Sequence, residues 1–244
     1  MFSGIKQLFS PKKEDVFCSA VIVAAGKGER MNTRLKKQFL PLLGMPVLSH
    51  TLESVEKSEL VKEIILVVSE EDFLTANDLV RATDCKKVKC IVAGGGCRVE
   101  SVANGLKEIS PEAQVVMIHD GVRPCVSAEL IDQCIINGLE YGASAPGVKP
   151  KNTIKKIGAD GFICETVDRE TLVEIQTPQC FQKEIIQKAY ENFDPSATDD
   201  CALVEKTGVK IHVTEGSYAN LKLTTREDLL LLSALLDWED SSRE

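Results

Sequence analysis

A stretch near the amino terminus combines a loop of small residues with two cations, which suits it to holding phosphate groups. Residues 21–24 are apolar and predict a buried strand, and the sequence AGKG follows at 25–28. Glycine and alanine leave room for backbone N–H groups to approach a phosphate closely. Arg30 and Lys37 come next. We therefore predict a polyphosphate site here, with a plain strand-to-helix turn carrying surface cations as the alternative.

Two widespread nucleotide motifs do not match this loop. It is not a P-loop, because no Gly-Lys-Ser/Thr sequence closes it. It is not the dinucleotide-binding pattern either, because Gly26 and Gly28 have no third glycine at the required offset. The loop thus indicates phosphate binding without assigning a class of nucleotide.

The charge of the whole chain argues against nucleic acid as the main partner. The 244 residues carry a formal net charge of −8, whereas proteins that bind duplexes usually present a basic excess or patch. An anionic small substrate needs only a local cationic pocket. The cations that could supply one are Arg30, Lys37, Arg123, Arg169 and Lys222.

The sequence indicates a cytoplasmic protein. No apolar run approaches the roughly 18 residues of a membrane-spanning helix, and residues 1–16 lack the apolar core of a secretory signal. The nine cysteines include no C-x-x-C pair, which suits reduced thiols better than a disulfide framework. The three histidines lie far apart in sequence, so we do not expect a structural zinc site.

Apolar strands alternate with amphipathic helices along most of the chain. We predict strands at 20–24, 63–68, 89–93, 115–119, 144–148 and 210–214, and helices at 47–57, 71–81, 99–108, 128–140, 183–192, 199–206 and 226–236. Continuous apolar runs are typical of parallel strands that are buried on both faces. The alternation predicts an α/β fold with a doubly wound, mostly parallel, Rossmann-like sheet.

Three loops with glycine, charge or both follow predicted strands, at 25–28, 94–98 and 120–124. In doubly wound folds ligands gather beyond the carboxyl ends of the strands. We therefore expect these loops to converge on one site, although ordinary turns between strands and helices also favour glycine and aspartate.

Residues 149–182 break the alternation. Two β-prone runs flank Asp160-Gly161, a dipeptide typical of tight hairpin turns. We predict a β-hairpin arm at about 149–176 that reaches a partner subunit. It would be inserted in a single domain of residues 17–238, between an N-terminal extension at 1–16 and a C-terminal tail at 239–244.

Nine motifs occur in one order between about residues 18 and 236. They are AAGKGERM at 24–31, KQFL at 37–40, GG at 94–95 with Arg98 and SV at 101–102, HDGVRP at 119–124, NTIK at 152–155, VDR at 167–169, QTPQ at 176–179, TDD at 198–200 and NLKLT at 220–224. Together they make the chain resemble the 2-C-methyl-D-erythritol 4-phosphate cytidylyltransferases of non-mevalonate isoprenoid biosynthesis. The resemblance implies a cytoplasmic homodimer that transfers CMP from CTP to a sugar-alcohol phosphate and releases pyrophosphate.

The resemblance also implies roles for individual residues. The expected catalytic residues are Arg30 and Lys37 at the five-coordinate phosphorus, Lys222 at the acceptor phosphate, and Arg169 from the partner's arm. The expected substrate-binding residues are Ala24, Ala25, Gly26, Gly28, Gly95, Ser101, Asp120, Gly121, Arg123, Thr153, Thr177 and Thr198. Mg²⁺ would be bound mainly through CTP, with Asp120 as a lesser candidate ligand.

Other functions remain open. A D-ribitol-5-phosphate cytidylyltransferase catalyses the same transfer to another acceptor, but that relative tends to carry Leu-Ala-Gly-Gly where this chain has VAAG at 23–26. A CTP-binding module without catalysis would be expected to lack Arg30, Lys37 or Lys222, and all three are present. A nucleotide-sugar glycosyltransferase would be expected to show an Asp-x-Asp motif after a middle strand, and none is found there.

Overall fold

The central element of the structure is an eight-stranded β-sheet with helices on both faces. The structure is a computed structural model that describes residues 16–26, 28 and 35–241. The strands are β1 (Cys18–Val23), β2 (Pro41–Leu42), β3 (Met45–Pro46), β4 (Val61–Val68), β5 (Val88–Ala93), β6 (Val115–Asp120), β7 (Ala143–Val148), β8 (Lys155–Ile157), β9 (Ile163–Thr166), β10 (Glu174–Ile175), β11 (Gln179–Gln182) and β12 (His212–Glu215). The helices are α1 (Val47–Lys57), α2 (Phe73–Ala82), α3 (Arg98–Leu106), α4 (Ala128–Tyr141), α5 (Lys183–Tyr190), α6 (Asp200–Glu205) and α7 (Arg226–Ser241).

The strand order reverses at β1, which defines where a ligand can bind. From one edge the order is β5-β4-β1-β6-β11-β7, and β10 and β12 also pair with β7. Strand β1 pairs in parallel with β4 on one side and with β6 on the other. The chain thus leaves β1 towards one edge and returns to its other side, which opens a crevice at the carboxyl ends of β1 and β6.

Alternate side chains of the buried strands contribute to two separate cores. In β1, Ala20 and Ile22 join the core covered by α1, α2 and α4, whereas Val21 joins the core covered by α3, α5 and α6. Successive side chains of a strand point to opposite faces, so an unbroken apolar run is needed when both faces are covered. The doubly wound α/β prediction is confirmed.

A third apolar cluster holds the C-terminal segment against the end of β6. Leu223 and Leu232 pack with Leu42 and Val122. The backbone N–H of Leu223 also donates to the carbonyl of Val122 at 2.9 Å. This contact brings the segment before α7, including Lys222, to the carboxyl end of the sheet.

All six predicted strands and all seven predicted helices are present, with ends shifted by a few residues. The predicted hairpin is also present, because β8 and β9 pair antiparallel. Four short strands were missed: β2 and β3 pair antiparallel with each other, β11 lies antiparallel between β6 and β7, and β10 returns the chain to β7 within the range assigned to the arm. Val16, assigned from sequence to the extension, is buried, and α7 continues into the range assigned to the tail.

Within the described part of the chain, no helix combines the length and the apolar character needed to cross a membrane.

Candidate active site

A cavity of about 500 Å³ opens at the carboxyl ends of β1 and β6. The three loops singled out from the sequence meet there, together with the segment that precedes α7. Nine predicted site residues line the cavity: Ala24, Ala25, Gly26, Gly28, Lys37, Gly95, Ser101, Asp120 and Lys222. The expected convergence of loops at the strand ends is thus observed.

Gln38 closes the small-residue loop after β1. Its side-chain amide donates to the carbonyls of Ala24 at 2.7 Å and Gly26 at 3.3 Å. Gly28 has a φ of 67°, which lies in the left-handed region that favours glycine. A Cβ at Gly28 would also lie 3.4 Å from the backbone nitrogen and Cγ of Lys37. Gly28 therefore lies directly against Lys37.

Two of the predicted catalytic lysines reach the same cavity. The ammonium Nζ of Lys37 donates to the carbonyl of Leu223 at 3.2 Å. The neighbouring residue, Lys222, places its Nζ 2.9 Å from Oδ2 of Asp120. Lys37 and Lys222 are far apart in sequence, so tertiary structure alone assembles this cationic pair. Arg30 lies outside the described residues, and its predicted role stays a prediction.

Asp120 is an ionised carboxylate surrounded by three cations. Oδ2 lies 2.9 Å from Lys222 and 3.4 Å from Nε of Arg123, and Oδ1 lies 3.5 Å from Nε of Arg98. Burial alone would raise the pKa of this carboxyl, but the three cations hold its pKa well below the ordinary range. Asp120 thus holds the Lys222 ammonium at the cavity wall.

The described residues around the cavity offer a metal ion few side-chain ligands. Among the described residues that line the cavity, Asp120 carries the only carboxylate. No group of three or more His, Cys, Asp or Glu side chains suited to a metal occurs in the described ranges. Mg²⁺ needs few protein ligands when phosphates and waters supply the others.

The turn after β5 forms another part of the cavity wall. Ser101 Oγ donates to the carbonyl of Cys97 at 2.9 Å and accepts from the N–H of Gly95 at 3.0 Å. A Cβ at Gly95 would lie 2.3 Å from Cβ of Glu100, so only glycine fits this close approach. Ser101, predicted to bind the substrate, therefore also braces the turn that presents Gly95 to the cavity.

Three predicted residues lie behind the cavity wall rather than on its surface. Thr177 Oγ1 accepts from the N–H of Asp120 at 3.1 Å and contacts Nδ1 of His119 at 2.9 Å. Arg123 donates to the carbonyl of Asn220 at 2.8 Å. A Cβ at Gly121 would meet Ala24 at 3.0 Å. These contacts fix the backbone around Asp120 and the segment before Lys222.

Three further predicted residues are exposed and are not among the residues that line the cavity of their own chain. Arg169 and Thr153 belong to the arm, and Thr198 precedes α6. The Arg169 guanidinium donates to the carbonyl of Lys151 at 3.2 Å, and its side chain is 51% exposed. The role of Arg169 at a partner's cavity and the role of Thr153 in substrate binding stay predictions.

Arg98 was quoted in the sequence motifs without a role, yet it belongs to the cavity wall. Its Nη2 donates to Oδ2 of the fully buried Asp200 at 2.8 Å, and Tyr190 donates to Oδ1 of Asp200 at 2.6 Å. Burial alone would lower the pKa of Arg98, but Asp200 and Asp120 raise it. The TDD motif was the available signal: Asp199 caps α6, and Asp200 is the anchor for Arg98.

The chain is similar to one family of nucleotidyltransferases over nearly its whole length. Residues 18–237 match the family model described as 2-C-methyl-D-erythritol 4-phosphate cytidylyltransferase. A protein of that name from Clostridium botulinum (strain ATCC 19397 / Type A) is 42% identical over 222 residues, which cover 90% of this chain and 97% of the relative. The relative of that name from Clostridium acetobutylicum is 42% identical over 221 residues, covering 89% and 96%.

Solved structures agree with this similarity. The 4-diphosphocytidyl-2C-methyl-D-erythritol synthase from Anaerococcus prevotii superposes with a TM-score of 0.79 at 34% identity, covering 91% of this chain and 97% of that chain. The 2-C-methyl-D-erythritol 4-phosphate cytidylyltransferase from Thermus thermophilus gives a TM-score of 0.71 at 26% identity, covering 89% and 97%.

Proposed function

The chain belongs to the 2-C-methyl-D-erythritol 4-phosphate cytidylyltransferase family, and from this premise we propose how its residues transfer CMP from CTP to the acceptor phosphate. The enzyme joins the acceptor phosphate to the α-phosphorus of CTP, forms 4-diphosphocytidyl-2-C-methyl-D-erythritol and releases pyrophosphate. The ribitol phosphate alternative is not favoured, because the matching family and relatives carry the methylerythritol name.

The reaction needs positioned positive charge more than a strong base. The acceptor is a phosphate monoester that is already anionic, and it must approach another polyanion. One acceptor oxygen forms a bond to the α-phosphorus while the bond to the pyrophosphate oxygen breaks. Catalysis then consists mainly of positioning and charge stabilisation, which are most effective where water is excluded.

We assign the two lysines of the cavity different tasks. Lys37, with Arg30, neutralises the charge that develops on the five-coordinate phosphorus. Lys222 holds the acceptor phosphate beside it, and Asp120 keeps the Lys222 ammonium in place before substrate binds. The observation that supports this most is that both ammonium groups line one cavity at the carboxyl ends of β1 and β6.

We further propose that Mg²⁺ accompanies the nucleotide. The CTP phosphates would hold most of its ligand positions, and the ionised Asp120 is the residue suited to contribute. When bound, the ion would neutralise phosphate charge and orient the leaving group. The backbone around Ala24, Ala25 and Gly95 would bind the cytidine.

We propose a cytoplasmic homodimer in which the arm completes the partner's site. Three large apolar side chains of the arm, Ile157, Phe162 and Ile163, are between 65% and 74% exposed. A second copy of the chain could cover them and carry Arg169 to the acceptor phosphate. All nine cysteines are free thiols, which is typical of a reducing compartment.

The assignment of the lysines is tested by separating turnover from binding. Lys37→Ala should lower kcat by about 100-fold or more with a much smaller change in CTP affinity, because its contact strengthens in the transition state. Lys222→Ala should in addition raise KM for methylerythritol phosphate. Lys86→Ala, at an exposed ion pair with Asp84, is the matched control. Equal losses of kcat and CTP affinity in Lys37→Ala would reduce Lys37 to a binding residue.

A further inference from the structure

Two consecutive lysines direct their ammonium groups to different places. Lys37 lines the cavity. Lys36 instead donates to Oγ of Ser69 and Oδ2 of Asp72, each at 2.7 Å, and also pairs with Glu71. The Lys36 side chain is only 20% exposed, so this ion pair is more than a solvated surface contact. The two adjacent lysines thus have separate environments: Lys37 lies at the cavity, and Lys36 pairs with the acidic residues after β4.

The partners of Lys36 belong to the connection between the neighbouring strand β4 and α2. Ser69 follows β4 directly and donates to Asp72, the residue that precedes α2. Burial alone would lower the pKa of Lys36, but Asp72 and Glu71 raise it above its ordinary value. The ammonium of Lys36 is therefore charged and tied to the connection that follows β4, the strand beside β1.

Gln38 anchors the chain on the other side of Lys37. Its side chain is buried, and it bonds the carbonyls of Ala24 and Gly26 in the loop after β1. Lys37 begins a short 3-10 turn, Lys37–Phe39, between these two anchors. One anchor lies on the β4 side and the other on the β1 side, so the backbone of Lys37 is held from both directions.

We propose that Lys36 is a positioning residue for the cytidylyl transfer. Its bonds to Ser69 and Asp72 fix the backbone of Lys37, so that the Lys37 ammonium stays at the cavity and the Lys36 ammonium stays out of it. The inference rests on the proposed role of Lys37 at the reacting phosphorus. Displacement of a catalytic group by about 1 Å can lower a rate on the order of 100-fold.

The test begins with Lys36→Met, which keeps a long side chain and removes the ammonium. We expect kcat to fall about tenfold or more, while KM for CTP changes less than about threefold. Lys36→Arg can still pair with Asp72 and should keep kcat within about threefold of the native value.

The partner residue provides a second test. Asp72→Asn weakens the same ion pair by removing the carboxylate charge, and it should lower kcat as Lys36→Met does. Lys86→Met is the control, and all variants are assayed well below their unfolding temperatures.

A double variant shows whether Lys36 acts through Lys37. Added to Lys37→Ala, the change Lys36→Met should cause no further loss of kcat, because the group that it positions is gone. A further loss of about tenfold would overturn the positioning role. Native kcat in Lys36→Met beside a strongly impaired Lys37→Ala would overturn this inference alone. Native kcat in Lys37→Ala would overturn the proposed role of Lys37 itself.

Discussion

At the cavity wall, the Asp120 side chain is 7% exposed and lies among cations, whereas on the arm Lys156 and Glu165 pair with side chains 62% and 53% exposed. The buried charges have lost water and depend on one another, so their geometry is fixed within one chain. The exposed pair keeps its water and contributes little. The comparison teaches that a single chain prearranges the cavity, while the arm presents groups for a second copy to use.

The largest expected effect comes from removing the buried negative charge at the cavity wall. Asp120→Asn removes the negative charge from among three cations and leaves Arg123 buried with its carboxylate partner gone. We expect a loss of about 3–5 kcal/mol in the free energy of unfolding, measured by urea denaturation. Asp84→Asn, at the exposed pair with Lys86, is the matched control and should leave the urea midpoint nearly unchanged. Similar shifts in both variants would mean that the cavity charges are not mutually dependent.

The next prediction concerns the use of the arm in trans. Arg169→Ala should lower kcat/KM for the acceptor by about 100-fold, as expected for loss of a cation at a reacting phosphate. Mixing this variant with Lys37→Ala after dissociation should restore about a quarter of native activity, since half of the dimers then hold one intact site.

Phe162→Asp, introduced into both variants, provides the control for that mixing experiment. It should prevent both dimer formation, seen by sedimentation, and recovery of activity. A mixture that stays inactive although heterodimers form would place Arg169 at its own chain's cavity.

A smaller effect is a dependence of the folding stability on pH, which we expect from the buried His119 next to Asp120. Burial lowers the pKa of His119 from 6.5 to about 3, with Asp120 opposing and Arg123 reinforcing the shift. The unfolded chain therefore binds a proton below pH 6.5 that the folded chain does not, and stability falls as pH decreases. Between pH 6.5 and 5 the slope should approach about 1.4 kcal/mol per pH unit. His119→Asn should flatten this slope, and an unchanged slope would exclude His119 as its source.

The smallest prediction concerns the arm. Lys156→Ala removes the ion pair with Glu165, and we expect a change of about 0.2–1 kcal/mol in the free energy of unfolding. Raising the salt concentration should reduce even this difference, because both groups face water. A loss comparable to that of Asp120→Asn would show that the arm is prearranged in the same way as the cavity.

The parts of the fold that follow from local pattern were predictable. Continuous apolar runs and helical periodicity identified the six strands and seven helices, and Asp160-Gly161 identified the hairpin. Strands β10 and β11 were not predicted, because they are short and are defined by antiparallel pairing with β7 and β6 rather than by their own composition.

The candidate site likewise has a part that could be predicted from the sequence and a part that could not. The positions of the loops after strands predicted that residues 25–28, 94–98 and 120–124 would meet, because parallel strands end at one edge of the sheet. The family resemblance predicted that Lys37 and Lys222 would join them. The roles of Arg98 and Gln38 depend on particular hydrogen bonds, such as that from Arg98 to Asp200, 102 residues away. No local pattern encodes a contact of that kind.

The central claim is that the ammonium groups of Lys37 and Lys222 act in one cavity on the two phosphates that react, the α-phosphate of CTP and the acceptor phosphate. A crystal structure with Mg²⁺, methylerythritol phosphate and a CTP analogue that cannot release pyrophosphate measures this directly. We predict both Nζ atoms at about 3 Å from oxygens of the α-phosphate or of the acceptor phosphate beside it. Either ammonium group facing bulk solvent, with no phosphate oxygen within hydrogen-bond distance, would contradict the account.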